Sequence, residues 1–249
     1  MDAVCNAISG IIFIFIPFNS SLMNRLTLLA YVTSPPALIA PSGDKQLASV
    51  NVEISPYKQT DSPMPLQVTA WDALAPDVMA NITVDSWAVI IGRLRIEKGK
   101  PPEFQLEGFH RVGVPLDRPG VNSVALVGRA GRDPQANYFE SGSMVAKFTL
   151  AVNRRSRDDQ PDWFALEIWG KQAQVAADYV RKGSLLGITG SFKLDRWIDI
   201  SSGQERTKPV INVDRLELLG SKRDAEGGAG GGGYSASGYG GQSQEEVPF

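Results

Sequence analysis

The chain repeats itself. Residues 23–96 lie over residues 121–194 at a fixed offset of 98 with no gap. MNRLTLLAYV stands over VNSVALVGRA, LASVNVEI over VAKFTLAV, PLQVTAWD over WFALEIWG, and SWAVIIGRLRI over SLLGITGSFKL. Identities are few, among them Asn24/Asn122, Leu28/Leu126, Pro36/Pro134, Trp71/Trp169, Ile90/Ile188 and Gly92/Gly190, but the alternation of apolar and polar residues agrees nearly throughout. A nine-residue shortening of the first copy then brings PEFQLEGFHRVG (102–113) over PVINVDRLELLG (209–220). Self-similarity of this length means two copies of one structural unit. It leaves VPLDRPG (114–120), with its prolines and glycine, as the connection.

Period-two alternation and β-branched residues place five strands in the second copy: Ser123–Arg129, Val145–Arg154, Trp163–Trp169, Leu185–Leu194 and Val210–Leu218. Between the third and fourth, KQAQVAADYVRKG carries Ala173, Ala176, Ala177 and Val180 at helical spacing, and Arg181, Lys182 and Gly183 are stop signals. Three strands, a helix and two strands is the order of an OB-fold, a small, partly open barrel. The expected architecture is therefore mainly all-β: tandem OB-fold five-stranded barrels, each with one short helix, and a Gly-rich acidic tail. By residue, 1–22 is an extension, with Met23 as the start of the first domain. Residues 23–113 form the first OB domain, 114–120 the linker, 121–221 the second OB domain, and 222–249 a disordered tail.

Composition removes several classes of function. The lone cysteine, Cys5, allows neither an internal disulfide nor a cysteine-based zinc site, and the lone histidine, His110, has no nucleophile turn near it. No apolar run reaches the ~18 residues of a membrane span. IIFIFIPF (11–18) is short and broken by Pro17, and the only early charge is Asp2, where a secretory signal needs a cationic start. The expectation is a cytoplasmic protein without metal, cofactor or catalytic residues. GAGGGG (228–233) fits a dinucleotide loop in letters only, since no strand precedes it and no helix follows.

Alternation also assigns faces. In WFALEIW, Phe164, Leu166 and Ile168 share one side and Trp163, Ala165, Glu167 and Trp169 the other; the side carrying Glu167 faces out. In the fourth strand Phe192 and Leu194 turn inward, and Lys193 and, if the strand persists, Trp197 turn outward. In the second strand Lys147, Thr149 and Asn153 are expected outside. Large aromatics beside cations suit a single-stranded nucleic acid, whose bases stack on flat rings while its phosphates seek positive charge. Charge is segregated accordingly. Residues 121–223 hold 16 Lys/Arg against 12 Asp/Glu, residues 23–113 hold 8 against 9, and residues 224–249 hold none against 4. A basic domain is thus masked, in a chain of net charge −2, by an acidic tail. NRRSR (153–157) reads as a loop able to follow a phosphate backbone.

The segments NSVALVGRAGRDP, YFESGSMVAKFTLAVN, DWFALEIWGKQAQVAADYVRKGS and GSFKLDRW, together with the terminal EEVPF, resemble the bacterial replicative single-stranded DNA-binding proteins. The resemblance covers about 100 residues (121–220) and the tip. It implies an OB-fold that binds single-stranded DNA without sequence preference, protecting it in replication, recombination and repair. By motif match its stacking aromatics fall on Trp163, Trp169 and Trp197. Arg129, Arg154, Arg155, Lys171 and Lys193 are the expected backbone contacts. A further aromatic of the family falls about where Ser156 stands, so one platform is expected to be missing. The resemblance also implies that Glu245, Glu246, Val247, Pro248 and Phe249 dock on replication and repair proteins, the acids meeting basic residues and Phe249 with its free carboxylate entering an apolar pocket.

The first copy keeps Trp71, with Gln67 and Thr69 on its outward side, but has Pro65 for Trp163 and Gly99 for Trp197. Tyr31, Ser34, Ala73, Thr83 and Val84 stand where Arg129, Arg132, Lys171, Arg181 and Lys182 stand. It is expected to be a degenerate DNA binder serving assembly. Some members of the family carry two OB domains per chain and work as dimers; a homo-oligomer, dimer or tetramer, associated with the nucleoid, is expected here. An RNA-binding OB protein and an assembly adaptor without DNA binding are the alternatives. A nuclease would need clustered acids for a metal, which the strands lack.

Overall fold

A computed structural model describes residues 23–39, 45–55, 63–96, 100–113, 121–154, 160–198, 200, 203 and 205–220. The first copy contains β1 (Met23–Val32), β2 (Ala37–Ile39), β3 (Leu47–Ile54), β4 (Met64–Trp71), α1 (Leu74–Asn81), β5 (Trp87–Arg95) and β6 (Glu103–Val112). The second contains β7 (Asn122–Ala130), β8 (Gln135–Tyr138), β9 (Met144–Val152), β10 (Asp162–Trp169), α2 (Gly170–Tyr179), β11 (Leu185–Ile198) and β12 (Glu205–Leu218).

Each copy closes a five-stranded barrel. In the first, β1 pairs β3, β3 pairs β4, β4 runs parallel to β6, β6 pairs β5 and β5 returns to β1. In the second, β7, β9, β10, β12 and β11 follow the same circuit, again with one parallel pair, β10–β12. The registers agree residue for residue. Leu26↔Gly92 is repeated at Val124↔Gly190, and Leu47↔Trp71 at Val145↔Trp169. Gln67↔Glu103 is repeated at Ala165↔Val210, which is the nine-residue shortening read from the sequence.

Both barrels bend at a glycine. The ladder shifts register at Ile91/Gly92 and at Thr189/Gly190. A Cβ at Gly92 would lie 2.1 Å from the Gln105 carbonyl oxygen, and one at Gly190 2.1 Å from that of Asn212. The bulge that closes the barrel therefore admits no side chain. Two further positions carry the same backbone in both copies with different residues. Gly170 (φ 61) and Gly183 (φ 88) correspond at the 98-residue offset to Asp72 (φ 50) and Asp85 (φ 60). Aspartate is among the few residues that enter the left-handed region at modest cost, and Asp85 is held there by the Tyr31 hydroxyl, which donates to its Oδ1 at 2.8 Å.

Four phenylalanines fill the cores, Phe104 in the first barrel and Phe148, Phe164 and Phe192 in the second, all at most 1% exposed. Each helix presses a small apolar stripe against its barrel, Ala75 and Val78 from α1, Ala173 and Ala176 from α2. Helix α2 starts at Gly170 and stops at Tyr179, earlier than the expected stretch. The Arg181 guanidinium donates to the carbonyls of Ala177, Asp178 and Val180, satisfying the orphan acceptors of the last turn.

The barrels join edge to edge. β1 pairs antiparallel with β7 over six residue pairs, so the two barrels share one twelve-stranded sheet. Side chains reinforce the seam at Asp162, 2% exposed, which accepts from the Ile96 amide at 2.9 Å and ion-pairs with Arg95 at 3.7 Å. Arg196 in turn donates to the Pro63 carbonyl at 2.7 Å. No described helix is long and apolar enough to cross a membrane.

Candidate nucleic-acid interface

Strand β10 is the spine of the site. Its inward residues Phe164, Leu166 and Ile168 are at most 1% exposed, while Trp163 and Trp169 are 47% and 46% exposed, as period-two alternation required. Trp163 lies across Gly131, where a Cβ would be 2.4 Å from the indole Cζ3 and 2.7 Å from Thr149 Oγ1. The absence of a side chain at Gly131 lets the ring lie down on the barrel. Trp169 is half of a stacked pair with Phe139, ring centroids 5.8 Å apart and planes within 16°.

The third tryptophan stands on an arm. β11 and β12 continue beyond the expected Leu194 and Val210 as a hairpin, with Asp195↔Lys208, Trp197↔Arg206 and Ile198↔Glu205. Trp197, 47% exposed, therefore has Arg206 directly opposite and Lys208 two residues on, both exposed. The strand persists because β12 is paired with it along its whole length.

Strand register orders the surface into rows. Arg129 of β7 faces Ala151 of β9, which faces Trp163 of β10. Lys147 of β9 faces Glu167, and Val145 faces Trp169. Between the two tryptophans, then, lies a charged row. Lys147 Nζ is 2.5 Å from Glu167 Oε1 and Lys193 Nζ 2.5 Å from Glu167 Oε2; Lys193 also reaches Asp195 at 3.1 Å. Glu167 is outward yet only 6% exposed. Burial pushes its carboxyl up, but the hydrogen bonds and charges of Lys147 and Lys193 outweigh that and hold it below the usual carboxylate range. Burial likewise pushes the Lys193 ammonium down, and its bonds to Glu167 and Asp195 raise it on balance.

The other expected cations divide. Arg129 is exposed, its guanidinium donating to the Gly183 carbonyl at 2.9 Å, and Lys171 is exposed on the first turn of α2, two residues beyond Trp169. Arg154 is drawn inward: strand β9 ends at Val152, not Arg154, and the guanidinium donates to Asp162 at 2.9 Å with its side chain only 10% exposed. Arg155 and the tip Glu245, Glu246, Val247, Pro248 and Phe249 lie outside the described residues. Sequence reasoning passed over Phe139, Tyr138 (69% exposed), Arg206 and Lys208. The four-residue β8 is too short to announce itself by period, although YF directly before ESGS is a signal of its own.

The corresponding face of the first barrel is different. Trp71 is 37% exposed, but Ser49, Thr69 and Arg95 replace Lys147, Glu167 and Lys193. Thr69 is not in solvent as expected; it is 5% exposed because its hydroxyl donates to Glu103 at 2.5 Å. Gln67 donates to Ser49 at 3.2 Å, and Arg95 is turned to Gln105 and Asp162.

Comparison with known proteins agrees with this geometry. Residues 121–219 match the model of the single-strand binding protein family. The single-stranded DNA-binding protein of Thermosynechococcus vestitus is 63% identical over 115 residues, covering 46% of this chain and 96% of that protein. A Synechocystis counterpart is 65% identical over 106 residues, 42% of this chain and 88% of its own. The crystal structure of wild-type single-stranded DNA binding protein from Thermus aquaticus, only 21% identical, superposes with a TM-score of 0.64 over 86% of this chain and 98% of that one, so it shares the fold. With a relative so similar matched over nearly its whole length, and with the two-barrel fold found in a solved structure, the chain belongs to the single-strand binding protein family.

Proposed function

We propose that the chain binds single-stranded DNA without sequence preference, protecting it during replication, recombination and repair, and that binding is concentrated on the outer face of the second barrel. The observation that carries the reading is the set of three half-exposed tryptophans, Trp163 and Trp169 on one strand and Trp197 on the adjoining hairpin. Each stacked base is worth about 1–3 kcal/mol, and stacking accepts any base. Arg129 and Lys171 beside this face, with Arg206 and Lys208 on the arm, are suited to phosphates. Arg155 is assigned the same role on its sequence alone. Lys193 and Arg154 belong to the surface but are already engaged with carboxylates. The Phe139–Trp169 stack adds a second ring that can hold a base edge or take its place when the strand is absent.

The first barrel completes the sheet and contributes little to DNA affinity. Its face has Pro65 and Ser49 where the second has Trp163 and Lys147, and Arg95, the counterpart of Lys193, is turned to Gln105 and Asp162. Two chains would bring four barrels together, so the assembly is a homo-oligomer of dimeric or tetrameric order, in the cytoplasm on the nucleoid. Replication and repair proteins are recruited by the C-terminal tip. The test is a tryptophan-fluorescence titration with oligo-dT of residues 121–223 and residues 23–113 separately. Quenching, tight binding and salt sensitivity are expected in the first and far weaker binding in the second; equal affinities would overturn the assignment.

A further inference from the structure

The centre of the stacking face is electrically balanced. Lys147 comes from β9 and Lys193 from β11, and both converge on one buried carboxylate, Glu167, at 2.5 Å each, while Asp195 adds a second acid to Lys193 at 3.1 Å. The four groups of this cluster, two lysines and two acids, sum to zero net charge. A carboxylate 6% exposed in the middle of a surface meant for a polyanion is costly on its own, and it is kept there by two ammonium groups that a phosphate would otherwise use.

We propose that Glu167 is a positioning residue that occupies Lys147 and Lys193 and withholds them from DNA phosphates, so that the centre of the face binds by stacking and its electrostatic share of the affinity is deliberately low. The inference rests on the reading that this face takes the DNA. Affinity that depends on phosphate neutralisation falls with the logarithm of salt, with a slope of about 0.7 per phosphate for single strands. Lysines already neutralised by Glu167 release no counterions on binding and add nothing to that slope. Held in fixed positions by the carboxylate, their stems instead wall the space between the two rings. A strand bound mainly by rings changes partners with less dependence on the ionic medium than one held by phosphates.

The experiment is the salt dependence of oligo-dT binding by the full chain, read by tryptophan quenching, for the wild type, Glu167→Gln, Lys147→Gln and the triple Lys147→Gln/Glu167→Gln/Lys193→Gln variant. Glu167→Gln frees Lys147 and leaves Lys193 with Asp195, so it should raise affinity at low salt and steepen the slope by about 0.7, one phosphate, its advantage shrinking by about 2.6-fold between 50 and 200 mM salt. Lys147→Gln leaves Glu167 paired with Lys193 and should keep the wild-type slope. The triple variant has no lysine to free and should also keep it. An unchanged slope in Glu167→Gln overturns the proposal, as does a slope shallower by about 0.7 in Lys147→Gln, which would mean that Lys147 already contacts phosphate. If Glu167→Gln does not fold, the Lys147→Gln slope decides alone. Failure of the underlying reading looks different: Trp163→Ala and Trp169→Ala would then bind as tightly as the wild type.

Discussion

Leu26 lies opposite Val124 in the strand pair that joins the two barrels, and Val124 is the residue 98 positions on from Leu26, its own counterpart in the second copy. The register on either side obeys the same rule: Asn24 faces Leu126, and Leu28, the counterpart of Leu126, faces Asn122, the counterpart of Asn24. The β1–β7 contact is thus an isologous, two-fold interface made within one chain, with its axis at the Leu26/Val124 pair. The symmetry extends to side chains. Asn24 exchanges two hydrogen bonds with the backbone of Leu94, and Asn122 does the same with Phe192, its counterpart.

A surface that is self-complementary by pseudo-symmetry becomes self-complementary in fact when one half is removed. Residues 121–249 alone expose the β7 edge, and an unpaired edge with buried-type side chains seeks another strand. The fragment should dimerise by pairing β7 with β7 about Val124, and Ser123→Pro, which removes a donor aimed across the seam at an exposed position, should abolish dimerisation. Light scattering checks this; a monomeric fragment with an intact fold would show that the seam depends on residues particular to the first copy.

Trp163→Ala and Trp169→Ala should each weaken single-strand binding by about 1–3 kcal/mol while barely moving the melting temperature. Both rings are half exposed, on the side opposite the buried Phe164 and Ile168. Phe164→Ala is the control, expected to cost about 3–5 kcal/mol of stability. Unfolding of either tryptophan variant would mean that these rings are structural.

Gly131→Ala should act on DNA binding through a residue it does not replace. The new methyl group would stand 2.4 Å from the Trp163 ring and 2.7 Å from Thr149 Oγ1, so the indole must lift away. The backbone itself has no need to move, because Gly131 is not among the glycines with positive φ. The expected result is weaker binding with altered tryptophan emission and near-normal stability; wild-type affinity would show that the ring's resting position is irrelevant.

The Glu167 cluster carries a pH signature. Its folded-state carboxyl lies below the ordinary value of about 4.3, so its stabilising contribution is complete above that value and is lost as pH falls through the depressed one. The Lys193 ammonium is raised, so its contribution is complete below about 10.4 and is lost as pH rises beyond that. Thermal melts should therefore show Glu167→Gln less stable than the wild type at neutral pH, with the gap closing on acidification below about pH 4 as the wild type loses its own ion pairs. A gap that is constant or widens in acid contradicts the assignment.

The sequence made the barrels and the faces legible because both rest on local periodicity. Alternation along WFALEIW is enough to separate Trp163 and Trp169 from Phe164, and an ungapped offset of 98 is enough to transfer every strand but the last from one copy to the other. The left-handed backbone at Asp72 and Asp85 was not read from the sequence, although glycines stand over both positions. What else escaped depends on partners supplied by distant strands. Arg154 reads as a free loop cation until Asp162 takes it, Lys193 until Glu167 takes it, and nothing in YFESGS announces that Phe139 will lie on Trp169. The joining of β1 to β7 escaped for the same reason, since a strand edge carries no sequence mark of the edge it will meet.

Residues 224–249 hold four acids and no cation, so they gain nothing from phosphates. Tethered by a glycine-rich segment, acids of this kind can compete weakly with DNA for cations. Phe249 is the one large apolar side chain at the end, next to Val247 and Pro248, which solubility alone does not call for. Deleting Glu245 to Phe249 should leave single-strand affinity unchanged or slightly higher, most visibly at low salt, where surface charges are least screened. The same deletion should abolish capture of replication and repair enzymes by the DNA-bound protein, and Phe249→Ala alone should do most of that damage, because a terminal ring and carboxylate are read together by a partner's pocket. A truncated protein that loses DNA affinity yet keeps its partners would reverse the assignment of the tail.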